Sequence, residues 1–358
     1  MLIQNGINME IRFKDQLLWM SKLVFPGWGI AQHSDGNIPS KEYYGSVDDN
    51  ARAISLLSRY SETYQDLQGL RTCFDYVKQA FENGPQGFPA NYRCPAGQFS
   101  GRDGQPDMAV DLQDCYGRSL QALVDLANSQ YDPDTRQKAL ALFNEKKGKS
   151  IRDLTFQNSL ALTAIAYATF LEQNFDENLR HDLEDIIDEL VTRHRDSSDD
   201  SFQGFSASYT YCATLPIEAL LMSIPYKDDN EAVHRARNSL DFLGQHLIDN
   251  NTFYPIGNDG WFQKGRAPSR YCQQGIEAAK FTESCALAYQ IFNDEKYRQW
   301  ATASYQWFLG INSDKVALLG PNGEVFDGID TGGRLNKNCG AESVIAYLKA
   351  AYALQKIS

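Results

Sequence analysis

Twelve stretches of this chain repeat apolar residues at the three- and four-residue spacing of an α-helix, and they alternate between two kinds. The odd ones span about 10–25, 66–83, 133–146, 177–194, 231–248 and 295–309. They carry charge along one side, as helices covering a core do. The even ones are rich in Ala, Leu and Ile. They begin near 47, 111, 155, 273 and 338, with a further one running through Ile217, Leu220 and Leu221. The stretch through Leu160, Leu162, Ile165 and Ala166 is apolar almost all round, the composition of an enclosed helix. A long loop of glycines and aromatics precedes the even helices, and short turns precede the odd ones. One arrangement satisfies this alternation: six inner helices side by side, six outer ones over them, and every inner N-terminus at one end. The fold class expected is therefore all-α, an α/α toroid formed by residues 1–358 as a single domain. The repeat of roughly 50 to 60 residues exceeds the common solenoid periods. The long loops gather at one end, so that end carries the function.

The run Tyr43-Tyr44-Gly45-Ser46-Val47-Asp48-Asp49-Asn50-Ala51-Arg52-Ala53 shows how an inner helix opens. Ser46 is placed as an N-cap, and Asp48 and Asp49 fall in the first turn, where the helix dipole favours negative charge. Helix-start chemistry alone accounts for one such site. Its recurrence before the other inner helices points instead to a shared mouth.

Composition removes several function classes. The net charge is -12 and the Lys and Arg are scattered, which excludes a nucleic-acid or anionic-membrane partner. No window approaches the roughly 18 apolar residues of a membrane span. Residues 1–25 contain Glu10 and Asp15 and no unbroken apolar run, unlike a secretory leader. Seven cysteines, an odd number without a C-x-x-C pair, read as reduced thiols of a cytoplasmic protein. There is no phosphate loop, no G-x-S-x-G and no metal-ligand spacing, so neither a cofactor nor a metal is expected. The chain has no strand–helix alternation and hence no nucleotide-sugar domain of its own.

The segments Gly29-Ile30 with Gln32-His33, Val47 to Ala53, Gln113-Asp114-Cys115-Tyr116-Gly117-Arg118, Gly260-Trp261-Phe262, Gln274-Gly275-Ile276-Glu277-Ala278-Ala279 and Asn338-Cys339-Gly340-Ala341-Glu342-Ser343 cover most of the chain in order. In these the chain resembles the six-hairpin glycosidase-like superfamily of (α/α)6 toroids. More narrowly, it resembles the bacterial domain found beside or fused to group 1 glycosyltransferases. The resemblance implies a carbohydrate substrate, an oligosaccharide or glycoside, and a glycosyltransferase as a possible partner. One departure stands out. The family pattern leads to an acid before the Leu-Pro of the eighth helix, and Thr210-Tyr211-Cys212-Ala213-Thr214-Leu215-Pro216 has none.

Several carboxylates around an aromatic cleft are the equipment of glycoside cleavage, with one protonated acid and one base or nucleophile. Asp49 and Asp114 begin neighbouring inner helices at matching first-turn positions and are the expected catalytic pair. Glu277 and Glu342 stand in reserve. Asp48 or Asp111 would supply the crowding that keeps one group an acid. Substrate binding is assigned to Asp48, Asn50, Asp111, Arg118, His33, Trp28, Tyr211, Trp261, Gln274 and Asn338, with Trp28 and Trp261 stacking on sugar. Glu277 and Glu342 can equally cap helices or pair with Arg52 or Arg118. Toroidal sugar epimerases use histidine bases; here His181, His194, His234 and His246 fall on outer helices and only His33 is near the mouth, so a two-histidine epimerase is not expected. The reading is a glycoside hydrolase or a phosphorylase-like relative. The alternatives are an unsaturated-uronide hydrolase or lyase, and a non-catalytic glycan-binding or accessory domain serving a glycosyltransferase.

Overall fold

The computed structural model describes residues 6–60, 68–102, 105–227 and 229–358. These form twelve α-helices. The odd-numbered ones are α1 (Gly6–Leu23), α3 (Gln68–Asn83), α5 (Pro133–Lys146), α7 (Glu177–Ser197), α9 (Asn230–Leu247) and α11 (Glu295–Gln306). The even-numbered ones are α2 (Val47–Tyr60), α4 (Ala109–Ala127), α6 (Gln157–Leu171), α8 (Leu215–Ser223), α10 (Gly275–Phe292) and α12 (Ala341–Gln355). The even helices touch in the order α2, α4, α6, α8, α10, α12 and back to α2, which closes a ring. Each odd helix backs one of them: α3 on α2, α5 on α4, α7 on α6, α9 on α8, α11 on α10 and α1 on α12.

Burial follows the two kinds of sequence. In α6 every residue from Ser159 to Ala168 is buried, as is Phe170, because helices flank it on both sides and α7 covers its back. In α7 only Leu179, Leu183, Ile186, Ile187, Leu190, Val191 and His194 are buried, a stripe at three- and four-residue spacing. Gly117 sets how closely α4 and α6 approach. A Cβ there would lie 2.6 Å from the Leu162 Cβ and 2.8 Å from the Thr163 nitrogen.

Capping also separates the two rings. The outer helices α5, α7, α9 and α11 each begin with an aspartate, Asp132, Asp176, Asp229 and Asp294, whose carboxylate accepts from first-turn N–H groups. The inner helices α4, α6, α8, α10 and α12 begin at Met108, Phe156, Thr214, Gln274 and Gly340, and none of these caps with its side chain. Their amide ends are left facing the mouth.

The long loops are knitted into a collar by ladders of two or three residues. Gly45–Ser46 pairs with Tyr92–Arg93, Ser208–Tyr209 with Phe262–Gln263, and Gln273–Gln274 with Gly328–Asp330, which also pairs with Arg334–Asn336. The Ala341 N–H closes the collar on the Gln32 carbonyl at 3.1 Å. These ladders move two expected starts. Gln273 and Gln274 are strand residues, so α10 begins at Gly275 rather than 273. Residues 337–340 belong to no helix or strand, and Gly340 is extended, so α12 begins at Ala341 rather than 338. The expected ends of the second and third helices, at 63 and 66, lie outside the described residues.

Candidate active site at the mouth of the ring

The site starts with the first turn of α2. The Ser46 hydroxyl accepts from the Asp49 N–H at 3.1 Å and donates to Asp49 Oδ2 at 2.8 Å, a reciprocal cap. Asp49 Oδ1 accepts from Arg52 Nη1 at 3.2 Å, one turn along. Both carboxylate oxygens are thus engaged, and only 2% of the side chain is exposed. Burial pushes this carboxyl up to about 7, with Arg52 opposing and Glu342 adding. Asn50 is also enclosed. Its Oδ1 accepts from Ile30 N at 3.1 Å and its Nδ2 donates to the Ser46 carbonyl at 2.8 Å, so it braces the loop rather than facing a ligand.

Arg52 reaches further. Its Nη1 donates to Glu342 Oε2 at 3.0 Å, and its Nη2 donates to the Tyr211 phenol oxygen. The Tyr211 hydroxyl donates in turn to Glu342 Oε2 at 2.5 Å. Tyr211 precedes α8, the helix opposite α2, so its side chain spans the bore of the ring. The backbone beside it is held from the remaining inner helices. Asn158 Nδ2 of α6 donates to the Tyr211 carbonyl at 2.9 Å. The Cys212 and Ala213 N–H groups donate to Glu277 of α10, to Oε1 at 2.6 Å and Oε2 at 3.4 Å. Arg118 Nη2 of α4 lies 3.9 Å from Cys212 Sγ. Glu277 is buried, which pushes its carboxyl up to about 7, and the two amides oppose that shift.

A second acidic group lies on the α2–α4 side. Arg118 Nε contacts Asp48 Oδ1 at 2.9 Å. Asp114 accepts from the Ser159 hydroxyl. Burial pushes the Asp114 carboxyl up to about 6; Arg118 and Ser159 oppose, and Asp48 and Asp111 add to the rise. The Asp111 carboxyl is raised by burial and then by Asp48 and Asp107. The side chains of Asp48 and Glu342 are 27% and 29% exposed, so they meet solvent while Asp49 and Glu277 do not. Beneath the Arg52–Tyr211 floor lies a cavity of about 30 Å³ between Arg52, Arg118, Lys280, Glu283 and Lys349.

The collar holds the other expected residues unevenly. Trp28 is only 5% exposed, and its indole N–H donates to the Cys94 carbonyl at 3.1 Å. Its ring is enclosed in the loop wall, not a free platform for sugar. Trp261 is half-buried at φ 58°, its N–H on the Gly257 carbonyl at 3.1 Å. Gln274 is half-buried in its strand. Asn338 is exposed and accepts from the Gly36 N–H at 3.3 Å. His33 is half-buried, edge-on to Tyr43 at 6.1 Å. His181, His194, His234 and His246 are on α7 and α9, in the outer ring.

Sequence reasoning named Arg52 only as a partner for acids, and it missed Ser159 and the Glu277–Cys212 contact. Arg52 was findable, since it follows Asp49 at the three-residue spacing that shares a helix face. Among the described residues no group of three or more His, Cys, Asp or Glu could hold a metal ion, and no helix is long and apolar enough to cross a membrane. All seven cysteines are free.

No protein-family model matches the sequence, and no curated protein matches it. Solved structures do match over nearly the whole chain. Cellobiose 2-epimerase from Spirochaeta thermophila aligns with a TM-score of 0.71 and 15% identity, over 99% of this chain and 98% of its own. The GH76 α-mannanase from Bacteroides thetaiotaomicron aligns at 0.68 and 15% identity, over 99% and 98%. A cellulase of C. cellulolyticum in complex with cellobiose aligns at 0.65 and 11% identity, over 98% of each chain. The shared fold is the (α/α)6 toroid.

Proposed function

We propose that the mouth cleaves a glycosidic bond by acid–base catalysis, with Asp114 as proton donor and Asp48 as its partner. The carrying observation is Asp114 itself, a carboxyl on α4 raised to about 6 beside a solvent-facing carboxylate on the neighbouring helix α2. A carboxyl near 6 is protonated often enough to act as an acid and loses its proton easily to a departing alkoxide. Asp114 would protonate the glycosidic oxygen as its bond to the anomeric carbon breaks. Asp48, held by Arg118, would take a proton from the water that attacks that carbon. Glu342 and Tyr211, fixed by Arg52, would hold sugar hydroxyls. Asp49 passes from the catalytic role to a supporting one, because both its oxygens are spent on Ser46 and Arg52.

The fold likeness to a cellulase and an α-mannanase supports a carbohydrate substrate. The acids outnumber the two arginines of the floor, which favours a neutral glycan over a uronide. A sugar isomerase or epimerase is the second reading. It is favoured by the hydrogen-bonded Arg52–Tyr211–Glu342 group, a ready proton relay, and by the likeness to cellobiose 2-epimerase.

The test is a panel of oligosaccharides and reducing sugars, with and without phosphate, incubated in oxygen-18 water and in deuterium oxide and read by mass spectrometry. Hydrolysis puts oxygen-18 on the released reducing end, and Asp114→Asn slows it by orders of magnitude. Deuterium uptake beside the sugar carbonyl, without cleavage, replaces hydrolysis with isomerisation. Sugar phosphate as product identifies a phosphorylase. Glycan binding in calorimetry with no turnover passes the reading to an accessory domain, for which a glycosyltransferase is the partner to test.

A further inference from the structure

We propose that Glu277 is a positioning residue that clamps the Tyr211–Cys212 strap across the bore and so fixes the Tyr211 phenol in the floor of the mouth. The chemistry of the contact is specific. Glu277 Oε1 accepts from the Cys212 N–H at 2.6 Å and Oε2 from the Ala213 N–H at 3.4 Å, so one carboxylate takes two consecutive backbone amides. Cys212 needs such a clamp, because its φ is 54°, a left-handed conformation that side chains with a Cβ rarely adopt. Relaxing that residue would swing the adjacent Tyr211 out of line.

The rest of the strap has no comparable anchor. The Tyr211 carbonyl has one side-chain donor, Asn158, at 2.9 Å. The Arg118 contact to Cys212 Sγ is long, at 3.9 Å. The Thr214 hydroxyl holds the far end by donating to the Lys280 carbonyl at 3.0 Å. The phenol can bridge Arg52 and Glu342 only while the strap holds its height above α2. Glu277 is 5% exposed and faces backbone, so it does not meet a substrate.

The assignment rests on Tyr211 lining the sugar site, but its test needs no sugar. The full chain is treated with iodoacetamide under native conditions and each cysteine is followed by peptide mass mapping. In the wild type Cys212 is protected, as are Cys73, Cys115 and Cys285, all fully buried. Glu277→Ala should raise alkylation at Cys212 by about tenfold or more, while the other three keep their wild-type rates. Glu277→Gln covers the case in which the alanine variant does not fold. It is nearly isosteric, but its amide NH2 must face one of the two backbone N–H groups, so Cys212 labelling should rise there too. As a second signature, fluorotyrosine placed at position 211 should shift its fluorine resonance toward that of free fluorotyrosine in either variant. Unchanged Cys212 protection and an unchanged resonance in a folded variant overturn the assignment. So does labelling of Cys73, Cys115 and Cys285 in step with Cys212, because that reports general loosening. Catalysis by any route, or none, leaves these readouts intact, so failure of the hydrolase reading is separable from failure of this one.

Discussion

At the scale of single residues, the mouth divides its acids by burial. Asp114 is half-buried and near 6, which gives the first prediction a sign. A general acid works protonated, so turnover should fall as pH rises through about 6. Asp114→Asn should lower kcat by about 10²- to 10⁴-fold while glycan binding persists. An unchanged alkaline limb in that variant would move the acid elsewhere. Arg52 gives the second prediction. Its guanidinium serves Asp49, Glu342 and Tyr211 together, a fork that no single-headed cation reproduces. At pH 8, where Asp49 is ionised, Arg52→Met leaves the enclosed carboxylate without its cation and should destabilise the chain by about 3 kcal/mol, read by urea unfolding. A loss within experimental error would mean that Asp49 is neutral and needs no partner. The individual acids were legible in the sequence as first-turn residues of inner helices. Which of them meets solvent was not, because burial depends on the loops folded over each helix end.

At the scale of elements, the apolar pattern determined helix type and order, since burial on one face or on all faces requires a matching composition. Helix starts were less legible. Gln273 and Gln274 have a helix-compatible sequence, yet they pair with Gly328 and Ile329 from far along the chain, and ladder formation overrides local preference. Gly117 also reads locally as a weak point in a helix. Packing explains it, because α6 leaves no room for a Cβ. Gly117→Ala should therefore destabilise by about 1 to 3 kcal/mol in spite of its better helix propensity. A variant as stable as wild type in thermal unfolding would show that α4 and α6 can separate freely. At the outer ring, Asp176→Ala removes the α7 cap to the Leu179 N–H and should lower stability by about 1 kcal/mol without altering the mouth.

For the whole molecule, the buried acids set how stability depends on pH. Asp49, Asp114 and Glu277 lie at about 7, 6 and 7 in the folded chain, against about 4 when unfolded. The folded state binds more protons between those values, so the stability they contribute is complete below about 4 and is lost as pH rises through 6 to 7. His194 runs the other way, because burial holds it down to about 4, but it is one group against three. The melting temperature should therefore fall between pH 5 and 7.5, measured by calorimetry at fixed ionic strength. A rise over that range would contradict the burial of these acids.

The sequence by itself determined the two helix classes, the closed ring and the end at which the long loops gather. Those follow from periodicity, composition and loop length, which act over a few residues to a few tens. The bridge from Arg52 to Tyr211 joins positions 159 apart, and the one from Arg52 to Glu342 joins positions 290 apart. No local pattern encodes such pairings. Only ring closure, which brings opposite helices to one mouth, decided that Tyr211 spans the bore, that Glu277 faces backbone and that Asp49 lies out of reach of water.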